Sequence, residues 1–297
     1  MAVAWVFPGQ GSQKPGMAEA VLSLPGAPQR FALASEKLGR DLAAICSASA
    51  VAEGPMNLHD TRNTQLALFV VESLLVDALR AQGRQPELVA GHSLGELVAL
   101  YAAGVFDAET GLDLMRRRGE LMAAAGGGAM TAVIGFDQRQ LRDLVEATEG
   151  VVIANDNSEA QVVLSGTPEA VEAVCGALRC KRAIPLAVSG AFHSPFMAEA
   201  AAEFAALLEA VPFAEASVPV LSNTDPTPER GGAALKARLI RQMTSGVRWR
   251  ETMERFLTEG MDTVVEIGPG NVLSGLMKRA CPSMNTAQVA SAADLGL

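Results

Sequence analysis

The chain has 297 residues, 49% of them hydrophobic, 19% charged and only 4% aromatic, with a formal net charge of −9. That length allows one or two domains with a large core, and the scarcity of aromatics leaves the core to Ala, Leu, Val and Met. With no basic tract longer than Arg116-Arg117-Arg118, the acidic balance argues against nucleic acid as the main partner, and no stretch approaches the about 18 uninterrupted apolar residues of a membrane helix. Residues 2–7 read as a buried strand. The run has no basic n-region and stops at Pro8-Gly9, so no signal peptide is expected. Pro8-Gly9-Gln10-Gly11-Ser12-Gln13 is a glycine-rich turn. It lacks the third glycine of a dinucleotide fingerprint and the Gly-Lys-Ser/Thr of a P-loop, and its better use is to aim backbone N–H groups into a site. Residues 16–60 alternate helical patches with turn signals. From Thr64 to Leu79 the stripe Leu66, Phe69, Val70, Leu74 and Leu75 predicts a core helix, with Gln65 at its start either lining a site or capping.

The chain is organised around Gly91-His92-Ser93-Leu94-Gly95. The apolar run Leu88-Val89-Ala90 precedes it and a helical stretch, 96–103, follows. Strand, G-x-S-x-G, helix is the context of a nucleophile elbow, which presents the serine at a helix N-terminus. A serine that merely caps the helix is the plainer alternative. A helix is predicted from about Ala108 to Ala123, with Leu114, Met115, Leu121 and Met122 on its apolar face. Arg118 shares that face, 25 residues after Ser93. A buried guanidinium needs an anionic partner. That partner is an internal carboxylate, a substrate carboxylate held in a two-pronged clamp, or solvent reached by snorkelling.

After Gly126-Gly127-Gly128 the pattern becomes β-α-β-β-α-β. Strands are predicted at 130–134, 151–154, 161–165 and 182–189, and helices at 137–148 and 168–178. This is the ferredoxin-like order, inserted in the larger α/β domain. Gly190-Ala191-Phe192-His193-Ser194-Pro195 follows, with Ser194 and Pro195 suited to N-cap and N1 of a helix reaching about Ala210. Of three histidines, His193 is the best candidate for a base, though a lone histidine is often structural. His92 adjoins Ser93, but neighbouring side chains on a sharp elbow diverge, and His59 lies in a turn-rich stretch. A strand and turn at 219–223, helices at 233–242, from 247 and at 272–279, and a buried strand at 264–267 continue the large domain. The last dozen residues look poorly constrained. Cys46, Cys175, Cys180 and Cys281 form no metal-type pair; they read as reduced thiols of a cytoplasmic protein, and no metal site is expected.

In order along the chain stand Phe7-Pro8-Gly9-Gln10-Gly11-Ser12-Gln13, Thr64-Gln65-Leu66-Ala67-Leu68, Gly91-His92-Ser93-Leu94-Gly95-Glu96, Arg118-Gly119, Asn155-Asp156-Asn157-Ser158, Val163-Leu164-Ser165-Gly166, Ala191-Phe192-His193-Ser194 and Glu266-Ile267-Gly268-Pro269-Gly270. Together they resemble the malonyl-CoA:acyl-carrier-protein transacylases that load fatty-acid and polyketide synthases, over essentially the whole chain. The resemblance implies an α/β fold: an α/β-hydrolase-like large domain with a parallel central sheet (1–126 and 190–297) and an inserted ferredoxin-like small subdomain (127–189). It implies ping-pong transfer from malonyl-CoA to the phosphopantetheine thiol of acyl carrier protein, with no bound cofactor. Ser93 is then the nucleophile, His193 the base, and the amides of Gln10 and Leu94 the oxyanion hole. Arg118 binds the malonyl carboxylate and Phe192 disfavours an α-methyl branch. The histidine-orienting backbone carbonyl is expected around Arg248.

The same chemistry fits a loading subunit of a polyketide synthase or a malonate decarboxylase. A plain serine hydrolase would release free acid, and a silent binding module would not acylate at all. Arg179, Lys181, Arg182, Lys278 and Arg279 are candidates for meeting an acidic carrier, or an ordinary solvated face. A monomer is expected, because no surplus apolar helix face remains once the core is assigned.

Overall fold

The computed structural model describes residues 2–49, 53–188 and 190–296. Strand β1 (Val3–Phe7) is followed by α1 (Ala27–Leu38), α2 (Leu42–Cys46) and the long α3 (Thr61–Ala81); β2 (Leu88–Gly91), α4 (Gly95–Ala102) and α5 (Ala108–Ala124) come next. The inserted unit is β3 (Ala129–Phe136), α6 (Gln138–Ala147), β4 (Val151–Ser158), β5 (Gln161–Gly166), α7 (Pro168–Ala177) and β6 (Cys180–Pro185). The chain then returns through a 3-10 turn at Pro195–Met197 into α8 (Ala198–Ala210), β7 (Val220–Leu221), α9 (Gly232–Gln242), α10 (Trp249–Thr258), β8 (Thr263–Ile267), α11 (Val272–Ala280) and β9 (Asn285–Val289). Local chemistry sets the helix starts. Asp60, Asp107, Asp137 and Thr167 each accept a first-turn amide through the side chain, and Pro168 stands in the first turn of α7.

Two sheets result, an α/β architecture with a small antiparallel insert. The large one is parallel, in the order β7-β2-β1-β8-β9, and the small one has the order β4-β5-β3-β6. Every pairing in the small sheet is antiparallel. Strands β7, β2, β1 and β8 of the parallel sheet are covered on both faces, as their continuous apolar runs require. Trp5 and Phe7 of β1 point into the core with α3, α4 and α5, whereas Ala4 and Val6 face α10 and α11 through Trp249, Met253, Phe256, Leu273 and Leu276. The small unit has its own core of Val133, Leu141, Val162, Leu164, Val171 and Val174. It is tied to the large unit at mid-β4, where Val247, between α9 and α10, donates its N–H to the Ala154 carbonyl at 2.8 Å and accepts from Asp156 N–H at 2.9 Å. Arg250 ion-pairs with Asp156 at 2.8 Å.

Two expectations change. The described part of the last dozen residues, up to 296, is not loose: β9 pairs with β8 from Thr263↔Asn285 to Ile267↔Val289, and Ala292 and Leu295 are buried beyond it. As a sheet edge, β9 is mostly exposed and polar, so it carries no apolar run to betray it. The strand expected at 182–189 starts earlier and ends at Pro185; Ser189 lies outside the described residues.

Candidate active site

β1 and β2 run parallel with Phe7 beside Gly91, so the turns leaving their carboxyl ends emerge side by side. His92 N–H donates to the Phe7 carbonyl at 2.9 Å. A Cβ on Gly95 would lie 2.2 Å from that carbonyl oxygen, and one on Gly91 would lie 1.9 Å from the carbonyl of Gly95. Both glycines of the motif are therefore demanded by backbone contact. Between them Ser93 has φ of 54°, a left-handed conformation that a side chain rarely adopts. Asn223 holds it there: its Oδ1 accepts from Ser93 N–H at 2.7 Å and its Nδ2 donates to the Gly91 carbonyl at 2.6 Å.

His193 also stands in the left-handed region, at φ 55°. Just before it, Gly190 crosses the Ala125 carbonyl so closely that a Cβ would sit 2.2 Å from the oxygen. His193 Nε2 lies 2.7 Å from Ser93 Oγ, and Nδ1 lies 3.0 Å from the Gln242 carbonyl oxygen. A carbonyl can only accept, so Nδ1 carries the hydrogen and Nε2 offers its lone pair to the serine. This corrects the expectation for Arg248. The Arg248 carbonyl accepts from Thr252 in the first turn of α10, and its exposed side chain pairs with Glu251 and the Thr224 carbonyl. Gln242 instead ends α9, where its carbonyl accepts only a long bond from Ser245 N–H at 3.4 Å and remains able to take the His193 hydrogen. Burial, then the charge of Arg118, push His193 down to about 3, so the ring is neutral near neutral pH.

Arg118 is fully buried. Its Nη1 donates to Gln65 Oε1 at 2.7 Å, and its Nη2 donates to Gln242 Oε1 at 2.9 Å and to Ser93 Oγ at 3.2 Å. No described carboxylate forms an ion pair with it, and its Nε has no partner among the described residues. Burial lowers it to about 10, so it stays charged at neutrality. It therefore neither snorkels nor forms an internal ion pair. Its neighbours Arg116 and Arg117 point outward to Glu120 and Glu203.

These groups share a cavity of about 280 Å³ with Gln10, Leu94, Met122, Met130 and Phe192. No acceptor among the described residues takes the amides of Gln10 or Leu94. Phe192 is 5% exposed and forms part of the wall. His92 turns away: its Nε2 lies 2.8 Å from Asn157 Oδ1 and its ring packs edge-on against Trp249. His59 is exposed and pairs with Gln13. Lys181, Arg182 and Arg179 are exposed along and before β6, as are Lys278 and Arg279 on α11, while Leu186 and Val272 line the cavity. Among the described residues no group of three or more His, Cys, Asp or Glu side chains could hold a metal ion, and no helix is long and apolar enough to cross a membrane.

Sequence reasoning missed Gln242, Glu96 and Asn223. Gln242 was detectable: it stands seven residues on from buried Leu235 and three on from buried Leu239, on the same face of α9, the same signal that exposed Arg118. Glu96 is the one ionisable side chain of a wholly buried helix apart from Tyr101.

Residues 4–296 match the family model described as "Acyl transferase domain". A curated relative from Synechocystis, named malonyl CoA-acyl carrier protein transacylase, is 50% identical over 99% of this chain and 99% of its own length. The crystal structure of the Synechocystis malonyl-CoA:ACP transacylase superposes with a TM-score of 0.95, covering 100% of this chain and 99% of that one. A type II PKS acyl-carrier protein in complex with its malonyl-transacylase gives a TM-score of 0.90 at 39% identity, covering 99% of this chain and 98% of that one.

Proposed function

The chain belongs to the acyl transferase domain family, and from that premise we propose that it moves malonyl groups from malonyl-CoA to the phosphopantetheine thiol of acyl carrier protein, supplying fatty-acid chain elongation. The observation that carries the reading is Arg118: a fully buried guanidinium with no carboxylate partner among the described residues, 3.2 Å from the oxygen of a serine on an elbow.

Ser93 Oγ attacks the thioester carbonyl while His193 Nε2 takes its proton, and the imidazolium is held by the Gln242 carbonyl. The oxyanion forms against the amides of Gln10 and Leu94. As the C–S bond breaks, His193 returns the proton to the departing thiolate, leaving malonyl-Ser93. The carrier's thiol then gives its proton to His193 and attacks the ester in the reverse sense. The substrate carboxylate sits on Arg118. Because the Arg118 charge is one cause of the weak basicity of His193, a carboxylate delivered there also strengthens the base. Each step uses side chains and backbone of this chain, without a bound cofactor. One chain holds every group of the site, as a monomer acting in the cytoplasm would. Lys181, Arg182, Lys278 and Arg279 flank the apolar mouth at Leu186 and Val272, a surface suited to an acidic carrier. Likeness to the type II PKS malonyl-transacylase supports a second reading with the same chemistry and a polyketide carrier.

The test is intact-protein mass spectrometry after mixing with malonyl-CoA, peptide mapping, and a chase with carrier proteins of both kinds. A malonyl adduct on Ser93 that passes to a carrier is expected. An adduct that only hydrolyses would replace the reading by a serine hydrolase, and no adduct on folded protein would remove the mechanism.

A further inference from the structure

Glu96 is a second buried ionisable side chain at the site, and the steps above leave it unused. It is 1% exposed, in the first turn of α4 just beyond Ser93. Its Oε2 accepts from Gln242 Nε2 at 2.7 Å and from Asn223 N–H at 3.1 Å. The same Gln242 amide accepts from Arg118 through Oε1 and donates to the Ser93 carbonyl at 2.9 Å. A neutral amide thus stands between a buried carboxyl and a buried guanidinium. A direct ion pair would satisfy both charges at once. The inserted glutamine keeps them balanced at a distance and leaves the guanidinium available.

A substrate carboxylate on Arg118 would place two carboxyl groups about one buried guanidinium. Two carboxylates sharing one cation raise each other's proton affinity. We propose that Glu96 is a positioning residue that sets the strength of the Arg118 clamp through Gln242, and that it takes one proton from solvent when a carboxylate-bearing acyl group occupies the clamp. The proton returns to solvent when the acyl group leaves. This rests on Arg118 as the malonyl-carboxylate site.

The groups facing Glu96 are Arg118 from α5, Gln242 from α9, and Ser222 and Asn223 after β7. Arg118 is the one charge among them. Burial already holds the Glu96 carboxyl above its ordinary value, opposed by the hydrogen bonds and by Arg118. The sign follows. Malonyl binding favours protonated Glu96, so malonyl selectivity falls as pH rises from the Glu96 pKa of the empty site to that of the loaded one. Acetyl carries no carboxylate and shows no such linkage.

The experiment measures kcat/KM for acylation by malonyl-CoA and acetyl-CoA from about pH 5.5 to about pH 9, where titrations of the CoA moiety cancel in the ratio. The malonyl-to-acetyl ratio is expected to fall by about fivefold or more with rising pH. In Glu96→Gln it becomes flat, at or above the wild-type value at low pH. In Glu96→Asp, which still ionises, the slope returns. A flat wild-type ratio, or an unchanged slope in Glu96→Gln, overturns the proposal, as does an equal loss for both acyl groups. If the variants do not fold, calorimetry of the wild-type enzyme in buffers of different ionisation heat decides: net proton uptake with malonyl-CoA and none with acetyl-CoA is expected, and equal uptake overturns it. Arg118→Ala separates the two failures. If that variant keeps the malonyl-to-acetyl ratio, the clamp itself is wrong; if the ratio collapses while wild type is flat with pH, only the role of Glu96 is.

Discussion

Three carboxyls are buried near the carboxyl end of the parallel sheet, and the protein treats two of them, Glu96 and Glu72, in opposite ways. Glu96 is connected through Gln242 to Arg118, Ser93 and the turn at Asn223. Glu72, on α3, is equally buried, lies against Gly268 and Pro8, and has no hydrogen-bond partner for either oxygen among the described residues. Nearby Glu266 shows the ordinary solution, accepting the amides of Leu273 and Ser274 at the start of α11. Burial and the Glu266 charge push Glu72 well above its ordinary value. A buried carboxyl held by donors can stay charged and be used. One without donors has its proton affinity raised by burial, and ionising it costs stability.

On the proposed mechanism the connected side carries the chemistry, so its variants are expected to have the largest effects. Ser93→Ala is expected to lower malonyl transfer by about 10⁴–10⁶-fold, with no acyl adduct in the mass spectrum; a residual adduct would relocate the nucleophile. Arg118→Ala should cost malonyl-CoA about 2–4 kcal/mol in kcat/KM, or about 30- to 1000-fold, because the charged bonds to the carboxylate are lost. Acetyl-CoA should lose far less, or gain, because His193 is freed of a neighbouring positive charge. Parallel losses of malonyl and acetyl transfer would make Arg118 a structural residue.

The unconnected side predicts a stability effect and no activity effect. Glu72 has a raised folded pKa, so its contribution is fully present below the unfolded value of about 4.5 and is lost as pH rises through the folded one. Glu72→Met removes the orphaned acid and should raise stability at pH 8 by about 1–2 kcal/mol, and Glu72→Gln should flatten the pH dependence without changing transfer rates. Denaturant titrations at pH 5 and pH 8 read both. A Glu72→Met protein less stable than wild type at pH 8 would mean that the carboxyl has a partner after all, and the contrast with Glu96 would fail.

What was legible in the sequence follows a similar division. Ser93, His193 and Arg118 were readable because side-chain chemistry and helical spacing are printed in the residues, and the β-α-β-β-α-β order of the small unit was readable from its periods. The carbonyl that orients His193 was misplaced to Arg248. A carbonyl has no letter of its own, and its position depends on where α9 stops, which Gln242 does not announce. β9 escaped because Asn285-Thr286-Ala287-Gln288 is polar edge strand held by the neighbouring β8. Glu72 obeyed the same logic as Arg118, an ionisable side chain on an apolar stripe, and could have been found by it.

The smallest effect is expected at Phe192, where selection is by shape. Charge selection by Arg118 is expected to be steep, because a carboxylate-free acyl group would leave the buried guanidinium without a counter-charge. A wall of Phe192, Met122 and Met130 has no such penalty to impose, since methionine side chains shift readily to admit a methyl group. Phe192→Leu keeps the site apolar and packed, whereas Phe192→Ala would add a cavity beside His193 and confuse selectivity with stability. In Phe192→Leu, methylmalonyl-CoA should gain on malonyl-CoA by about 1 kcal/mol, less than tenfold, read as the ratio of Ser93 adducts in a competition experiment. An unchanged ratio would take Phe192 out of the selection. A change as large as that of Arg118→Ala would show that the wall is rigid, and that shape selects as strongly as charge.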